Sequence, residues 1–350
     1  MTPKLTILDL AKHYGPTTAL EPTSLEVADG EFLTLLGPSG SGKTTLLMMI
    51  AGLTAPSRGA LLVDGKDVTA LPAHQRDIGV VFQNYALFPH LTVFENVAFP
   101  LRMRKLDDTA LRKAAMEALT LVQLPHLATR LPRELSGGQQ QRVAFARASV
   151  FKPSLVLMDE PLGALDKKLR DELKLEIRKL HRELRSTIVY VTHDQDEAML
   201  LSDRICLMNN ARIEQIDTPI ALYERPLTPF AAGFVGESNI LSCVVRDGWP
   251  VADGLALETV HAARLPGEGK AVEVLVRPER LHIGVGPNSI SATVDQVIDL
   301  GGTRRVTLTI EGGPVLTMVT LGGGAPPVPG QRLSLTIDPA DIVPLAGAPA

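Results

Sequence analysis

The nine residues Gly37-Pro38-Ser39-Gly40-Ser41-Gly42-Lys43-Thr44-Thr45 constrain this chain more than any others. They match G-x-x-x-x-G-K-[ST], just after the apolar run "EFLTLL" (31–36) and at the start of the apolar run "TTLLMMIAGL". A strand, a glycine-rich loop and a helix in that order make a phosphate cradle. Gly37, Gly40 and Gly42 let the backbone close round an anion without Cβ clashes. The N–H groups from Gly40 to Thr45 face the phosphates, with the helix dipole behind them. Lys43 is placed as a point charge on the β- and γ-phosphates, and the Thr44 hydroxyl as a Mg²⁺ ligand. The competing reading, a glycine-rich turn without a ligand, does not account for the strand and helix on either side.

Further short β-rich runs follow: "DIGVVF" (77–82), "SLVLMD" (154–159) and "TIVYVT" (187–192). Continuous apolar strands of this length fit a parallel sheet covered on both faces. Between two of them, Leu169, Leu173, Ile177, Leu180 and Leu184 form one stripe, so 166–185 reads as an amphipathic helix with a solvated charged face. Up to about residue 235 the pattern therefore alternates strand and helix.

Three strand ends carry polar chemistry. The run "SLVLMDEP" ends in two acids: Asp159 can hold Mg²⁺ through water, and Glu160 can orient or deprotonate an attacking water. Gln83 follows the 77–82 strand, where its amide can reach Mg²⁺ or that water. His193 follows the 187–192 strand, where an imidazole can contact the γ-phosphate. The bland alternative for His193 is a helix-cap histidine paired with Asp194 or Asp196. A second phosphate half-site lies downstream, in "LSGGQQQR" (135–142). Gly137 and Gly138 at the mouth of a helix leave N–H groups bare, and bare N–H groups at a helix N-terminus attract anions.

From about residue 240 the pattern changes to "AVEVLVRPE", "ATVDQVIDL", "RVTLTI", "VLTMVTL" and "RLSLTID", separated by Gly and Pro clusters. Short, regularly spaced strands predict an all-β sandwich or small barrel, with the boundary near "AAGFVGESN". The tail "AGAPA" is expected to be disordered.

Composition narrows the class of protein. The 350 residues suffice for about two domains, and a formal charge of −4 gives no push towards nucleic acid. The two cysteines, Cys206 and Cys243, imply neither a metal site nor a disulfide framework and point to a reducing compartment. No signal pattern opens the sequence, and no apolar run approaches the roughly 18–20 residues that span a bilayer. Any membrane role is expected to come through a partner.

Taken in chain order, GPSGSGKT (37–44), Gln83, LSGGQ (135–139), LVLMDEP (155–161), GALD (163–166) and His193 resemble an ABC-transporter ATPase subunit. The resemblance runs from the first strand to about residue 235, and LSGGQ is highly specific to that family. No N/T-K-x-D guanine signature is present, so a GTPase reading fails. The resemblance implies an α/β P-loop NTPase domain over 1–235, with a helical subdomain at about 84–150, and ATP with Mg²⁺ as cofactors. It implies a homodimer packed head to tail, in which Ser136, Gly137, Gly138 and Gln139 grip the γ-phosphate of the partner's ATP. By the same resemblance Pro38, Ser39 and Ser41 complete the phosphate loop, Thr44, Gln83 and Asp159 serve the metal, and Asp166 crosses the dimer interface. Many members carry Ser where this chain has Gly163, so position 163 receives no catalytic role. Tyr14, in "AKHYGPTTAL", fits the family's adenine-stacking aromatic; its competing reading is a surface-anchoring tyrosine.

The second half resembles the importer ATPases with a C-terminal oligomer-binding-like (TOBE) β-domain, here over 236–350. "DEPLGALDKKLRDEL" looks closest to the spermidine/putrescine and related importers, a group that also serves iron and other small solutes. This implies two transmembrane permease subunits, a solute-binding receptor reached indirectly, no nucleic acid, and a peripheral position on the cytoplasmic face of the membrane. Residues 84–105 would meet the permease, with Phe88 and Leu91 as exposed candidates or as subdomain core. A soluble ABC-type ATPase not coupled to transport is the alternative, disfavoured by the single cassette and the absence of a basic stripe. The β-domain could also act as a small-molecule sensor.

Overall fold

The phosphate-loop strand is central to its sheet. In a computed structural model, which describes residues 3–163, 167–252 and 255–346, that strand is β3 (Phe32–Leu36). It follows β1 (Leu5–Tyr14) and β2 (Thr17–Val27), and leads into α1 (Lys43–Ile50). Then come β4 (Arg58–Val63), β5 (Lys66–Asp67), β6 (Ile78–Val81), α2 (Val93–Met103), α3 (Asp108–Leu121) and α4 (Gly137–Ser149). The first unit closes with β7 (Leu155–Asp159), α5 (Lys167–Leu184), β8 (Thr187–Thr192), α6 (Gln195–Leu201), β9 (Arg204–Asn209) and β10 (Arg212–Asp217).

One six-stranded sheet has the order β10-β9-β3-β8-β7-β6. Strands β9, β3, β8, β7 and β6 run parallel, and β10 pairs antiparallel with β9. Every residue of β3, β7 and β8 is buried, as the continuous apolar runs predict for a sheet covered on both faces. Side chains alternate between two cores, because successive residues of a strand point to opposite faces. Phe32, Val156, Met158, Ile188 and Tyr190 pack with α2, α3, α4 and α5. Leu33, Leu35, Leu155, Leu157, Val189 and Val191 pack with α1 and the N-terminal strands. Because β6, β7, β8 and β3 are parallel, their C-terminal ends lie along one edge, where open α/β sheets bind ligands. Leu173, Ile177 and Leu180 of α5 face the core; the side chains of Leu169 and Leu184 lie outside those described.

The N-terminal strands depart from the alternating strand–helix reading. β1, β2, β4 and β5 form a separate four-stranded antiparallel sheet, in the order β2-β1-β4-β5. The period-2 signal of β1 is broken by register shifts between Ile7 and Leu10, where Asp9 takes φ 46°. Leu5 and Ile7 are buried, and so are the adjacent Leu10 and Ala11, which hides the strand from a periodicity reading.

The helices of the helical segment begin at side-chain caps. Thr92 and Glu95 form a capping box at α2, Asp107 caps α3, and Ser136 with Gln139 forms a capping box at α4.

The chain divides into the compact units Met1–Pro219 and Ile220–Ala350. Two short helices, α7 (Pro219–Glu224) and α8 (Pro229–Phe234), precede the β-rich part. That part comprises β11 (Asn239–Arg246), β12 (Trp249–Ala252), β13 (Leu255–Ala256), β14 (Ala271–Val276), β15 (His282–Ile283), β16 (Ile290–Asp299), β17 (Thr303–Ile310), β18 (Val315–Leu321), β19 (Arg332–Thr336) and β20 (Val343–Leu345). They build two five-stranded antiparallel sheets, β13-β12-β11-β14-β20 and β15-β19-β16-β17-β18. Cys243, Val274 and Val276 of one sheet share a core with Val306, Leu308, Met318 and Leu335 of the other. Residues 347–350, most of the tail expected to be disordered, lie outside the described residues.

Candidate active site

Loop 37–42 leaves the end of β3 and enters α1 in the conformation its glycines predict. Gly40 and Gly42 adopt φ 79° and 97°. Gly37 is needed for space: a Cβ there would stand 2.2 Å from the Met208 carbonyl oxygen of β9. Gly42 caps α1 in the left-handed region without a side-chain cap. Among the described residues, the N–H groups of Gly40, Gly42, Lys43, Thr44 and Thr45 have no hydrogen-bond acceptor, whereas Ser41 N–H reaches Pro38 O at 3.3 Å. Orphan donors at the head of a helix suit a phosphate. Buried Lys43 donates from Nζ to the Gly37 and Pro38 carbonyls, each at 2.8 Å. Burial lowers the Lys43 pKa, and the charges of Glu160 and Asp159 oppose that shift.

The acids stand at the end of β7. Thr44 Oγ1 donates to Asp159 Oδ1 at 3.4 Å, joining the phosphate loop to that strand. Burial raises the Asp159 pKa first, and the Glu160 charge adds to it; the Thr44 hydrogen bond and Lys43 pull it back. Glu160 takes φ 41°, a left-handed conformation unusual for a non-glycine residue, and donates its N–H to Val191 O at 3.0 Å. Its carboxylate lies between two neighbours: Gln83 Nε2 is 3.4 Å from Oε2, and His193 Nδ1 is 3.2 Å from Oε1. His193 therefore faces Glu160; Asp194 instead caps α6, accepting from the Glu197 N–H at 2.9 Å.

One cluster thus unites Lys43, Thr44, Gln83, Asp159, Glu160 and His193. It excludes Ser136, Gly137, Gly138 and Gln139. These head α4, where Ser136 N–H donates to Gln139 Oε1 at 3.0 Å and Gln139 N–H to Ser136 Oγ at 3.3 Å. Among the described residues, Gly137 and Gly138 N–H have no acceptor, and no hydrogen bond or ion pair joins 136–139 to the phosphate loop. Tyr14 ends β1 opposite Thr17, is 54% exposed, and has Lys12 Nζ 4.8 Å from its ring centroid. The hairpin it closes reaches the phosphate loop through β2: a Cβ on Gly42 would stand 3.0 Å from Ala19 O. Asp166 lies outside the described residues.

Phe88 and Leu91 are half-buried, which favours the subdomain-core alternative over the exposed one. The Phe88 ring packs 4.6 Å from that of Phe99, so the aromatic belongs to the subdomain's packing. Sequence reasoning also missed the support behind His193. Glu197 Oε2 accepts from Tyr190 Oη at 2.8 Å and Thr192 Oγ1 at 2.7 Å, and Thr192 Oγ1 accepts from Asp194 N–H at 3.0 Å. A glutamate four residues past the histidine, on a helical turn, was the only available signal. Both cysteines are buried, and Cys206 has its pKa pushed up to about 12 by burial.

No helix among the described residues is long and apolar enough to cross a membrane. Residues 20–163 match the ABC transporter family, and residues 274–345 match the TOBE domain. Three similar proteins are each named a spermidine/putrescine import ATP-binding protein, PotA. That of Acidothermus cellulolyticus is 45% identical, covering 95% of this chain and 92% of the relative. That of Rubrobacter xylanophilus is 47% identical over 86% and 82%, and that of Thermobifida fusca 46% over 87% and 83%. The phosphate loop, the acids after β7, the LSGGQ helix and these matches agree, and the chain belongs to the ABC transporter family as one of its ATP-binding proteins with a C-terminal TOBE domain.

Proposed function

We propose that this chain hydrolyses ATP to energise a membrane importer, at two composite sites of a head-to-tail homodimer. The observation that carries the dimer is the presence of two separate sets of orphan N–H donors, at the heads of α1 and α4, with no hydrogen bond or ion pair joining them among the described residues. Each half-site presents phosphate-binding donors, and a second copy would complete both. In this reading the loop amides and Lys43 bind the phosphates, Glu160 polarises the attacking water, and His193 holds the γ-phosphate. Tyr14 stacks on the base, and Ser136, Gly137, Gly138 and Gln139 close on the partner's nucleotide, with Asp166 at the same interface.

The residues fit Mg²⁺. Thr44 Oγ1 and Asp159 Oδ1 lie 3.4 Å apart as hard oxygen donors, the ligand type that Mg²⁺ prefers. Thr44, Asp159 and Gln83 would hold it, and it would supply charge neutralisation on the β- and γ-phosphates. Residues 1–235 then serve as the nucleotide domain and 236–350 as the TOBE-like domain. Two permease subunits and, through them, a solute receptor are the implied partners, placing the chain on the cytoplasmic face of the membrane. The relatives' names make a polyamine the solute to test first.

The deciding measurement is the solution mass of Glu160→Gln with and without Mg-ATP. A monomer that becomes a dimer only with Mg-ATP supports the composite sites. A monomer throughout, with ATP demonstrably bound, overturns an autonomous dimer. A dimer under both conditions calls for a distance probe between Ser39 and Ser136: no approach on adding ATP counts against the reading. For the solute, the chain reconstituted with its permeases and receptor should show ATPase activity stimulated by polyamine; stimulation by another solute alone would redirect the assignment.

A further inference from the structure

Arg147 stands near the end of α4, the helix headed by Ser136, and its side chain is buried. Its guanidinium forks onto two consecutive carbonyls: Nη1 donates to Ala86 O and Nη2 to Tyr85 O, each at 2.7 Å. Tyr85 and Ala86 are both left-handed, at φ 59° and 44°. Two adjacent non-glycine residues in that region are strained and need surrounding structure to hold them. They follow Gln83 by two and three residues. The turn is tight: Tyr85 N–H reaches Phe82 O at 2.8 Å, and Ala86 N–H reaches Asn84 O at 2.7 Å. Among the described residues Arg147 has no carboxylate partner, so its buried charge is met by these carbonyls and by the Phe88 ring, 5.6 Å from the guanidinium carbon. A buried guanidinium with no counter-charge is costly. Its two short, charge-assisted bonds to a strained turn give it a task that packing alone would not require.

We propose that Arg147 is a positioning residue for Gln83. It holds the 85–86 turn in its left-handed form, and thereby fixes how Gln83 meets Glu160. Because α4 carries Ser136 at one end and Arg147 near the other, any shift of that helix on nucleotide closure reaches Gln83 through this fork. The proposal rests on the reading that Gln83 serves the metal or the lytic water.

The test uses the full chain with four variants: Arg147→Lys, Arg147→Gln, Ala86→Gly and Gln83→Ala. A lysine keeps the charge but replaces the planar two-nitrogen fork with a single, more compact ammonium, so it does not reproduce the bidentate geometry; the neutral glutamine avoids burying an unmatched charge. Each Arg147 variant is expected to lower kcat about tenfold or more, as misplacement of a catalytic group does, while the Kd for a fluorescent ATP analogue stays within about twofold. Glycine takes the left-handed conformation freely. Ala86→Gly should therefore leave kcat unchanged alone, yet restore most of it when combined with either Arg147 variant.

Failure of that rescue overturns the proposal, as does a loss of nucleotide affinity that matches the loss of kcat. If the single Arg147 variants do not fold, the doubles decide. A folded double with parental kcat supports the positioning role, and a folded but inactive double, or one that still fails to fold, overturns it. Gln83→Ala separates the two levels. Full activity in that variant sinks the Gln83 reading, whereas the glycine rescue reports on the Arg147 fork independently.

Discussion

His193 Nδ1 lies 3.2 Å from Glu160 Oε1, on the carboxylate whose other oxygen faces Gln83 Nε2 at 3.4 Å. Three strand ends meet in that contact: β8 delivers His193, β7 Glu160 and β6 Gln83. Glu160 needs a left-handed backbone, φ 41°, to present its carboxylate there.

A group that orients water contributes about 10²–10⁴-fold to rate. Glu160→Gln and His193→Ala should each lower kcat by about 10²-fold or more while Mg-ATP still binds. Because the two side chains touch, the double variant should lose much less than the product of the two single losses. Single-turnover hydrolysis with separately measured nucleotide affinity checks this; fully multiplicative losses would mean that the contact has no part in the reaction.

The phosphate loop separates two reasons for a glycine. Gly40 has φ 79° and open space where a Cβ would go, so Gly40→Ala carries only backbone strain, about 1–2 kcal/mol. Gly37→Ala would drive a Cβ into the Met208 carbonyl at 2.2 Å, against the backbone of a central strand. Urea unfolding should show Gly37→Ala as the more destabilised of the two, by about 3 kcal/mol or more relative to the parent. Equal effects would refute the close approach.

The sequence made some of this legible and hid the rest for identifiable reasons. The β3, β7 and β8 runs were readable because both faces are buried, so unbroken apolar residues mark them. The phosphate loop, Asp159, Glu160 and His193 were readable because they stand at the ends of such strands, whereas Gln83 follows the half-buried β6 and residues 136–139 head a helix. β1 was not, since the irregularity at Asp9 puts Leu10 and Ala11 side by side in the interior and erases alternation. Phe88 stayed open between surface and subdomain core because its sequence neighbours give no hint of Phe99, eleven residues on and 4.6 Å away. Arg147 was invisible for another reason: its partners are main-chain carbonyls, which carry no sequence signature.

Tyr85 offers a stability test beside the site. Its side chain is 6% exposed, its hydroxyl has no hydrogen-bond partner among the described residues, and burial raises its pKa. A buried hydroxyl without a partner costs about 1–3 kcal/mol. Tyr85→Phe keeps the ring in the core and removes the penalty, so it should stabilise the chain by about 1 kcal/mol without changing the 85–86 turn. A destabilised variant in denaturant unfolding would show that the hydroxyl has a partner after all.

Glu197 gives the fold a pH dependence whose sign follows from its surroundings. Burial raises its carboxyl pKa above the ordinary 4.5; Asp194's charge acts the same way, and the hydrogen bonds from Thr192 and Tyr190 and the Lys174 charge pull against it. Below about pH 4.5 the carboxyl is neutral in both folded and unfolded chains, and its contribution to stability is fully present. Between that value and the raised folded one, the native state holds a proton that the unfolded chain has lost, so stability falls as pH rises. Above the folded value the loss is complete and constant. Glu197→Gln is uncharged at every pH, and its amide oxygen can still accept from Tyr190 and Thr192. Its melting temperature relative to the parent should therefore climb through the mildly acidic range and then level off. A difference that stays flat from pH ~4 to ~8, or that shrinks on the way up, would show that the carboxylate behind His193 is charged in the fold at no cost.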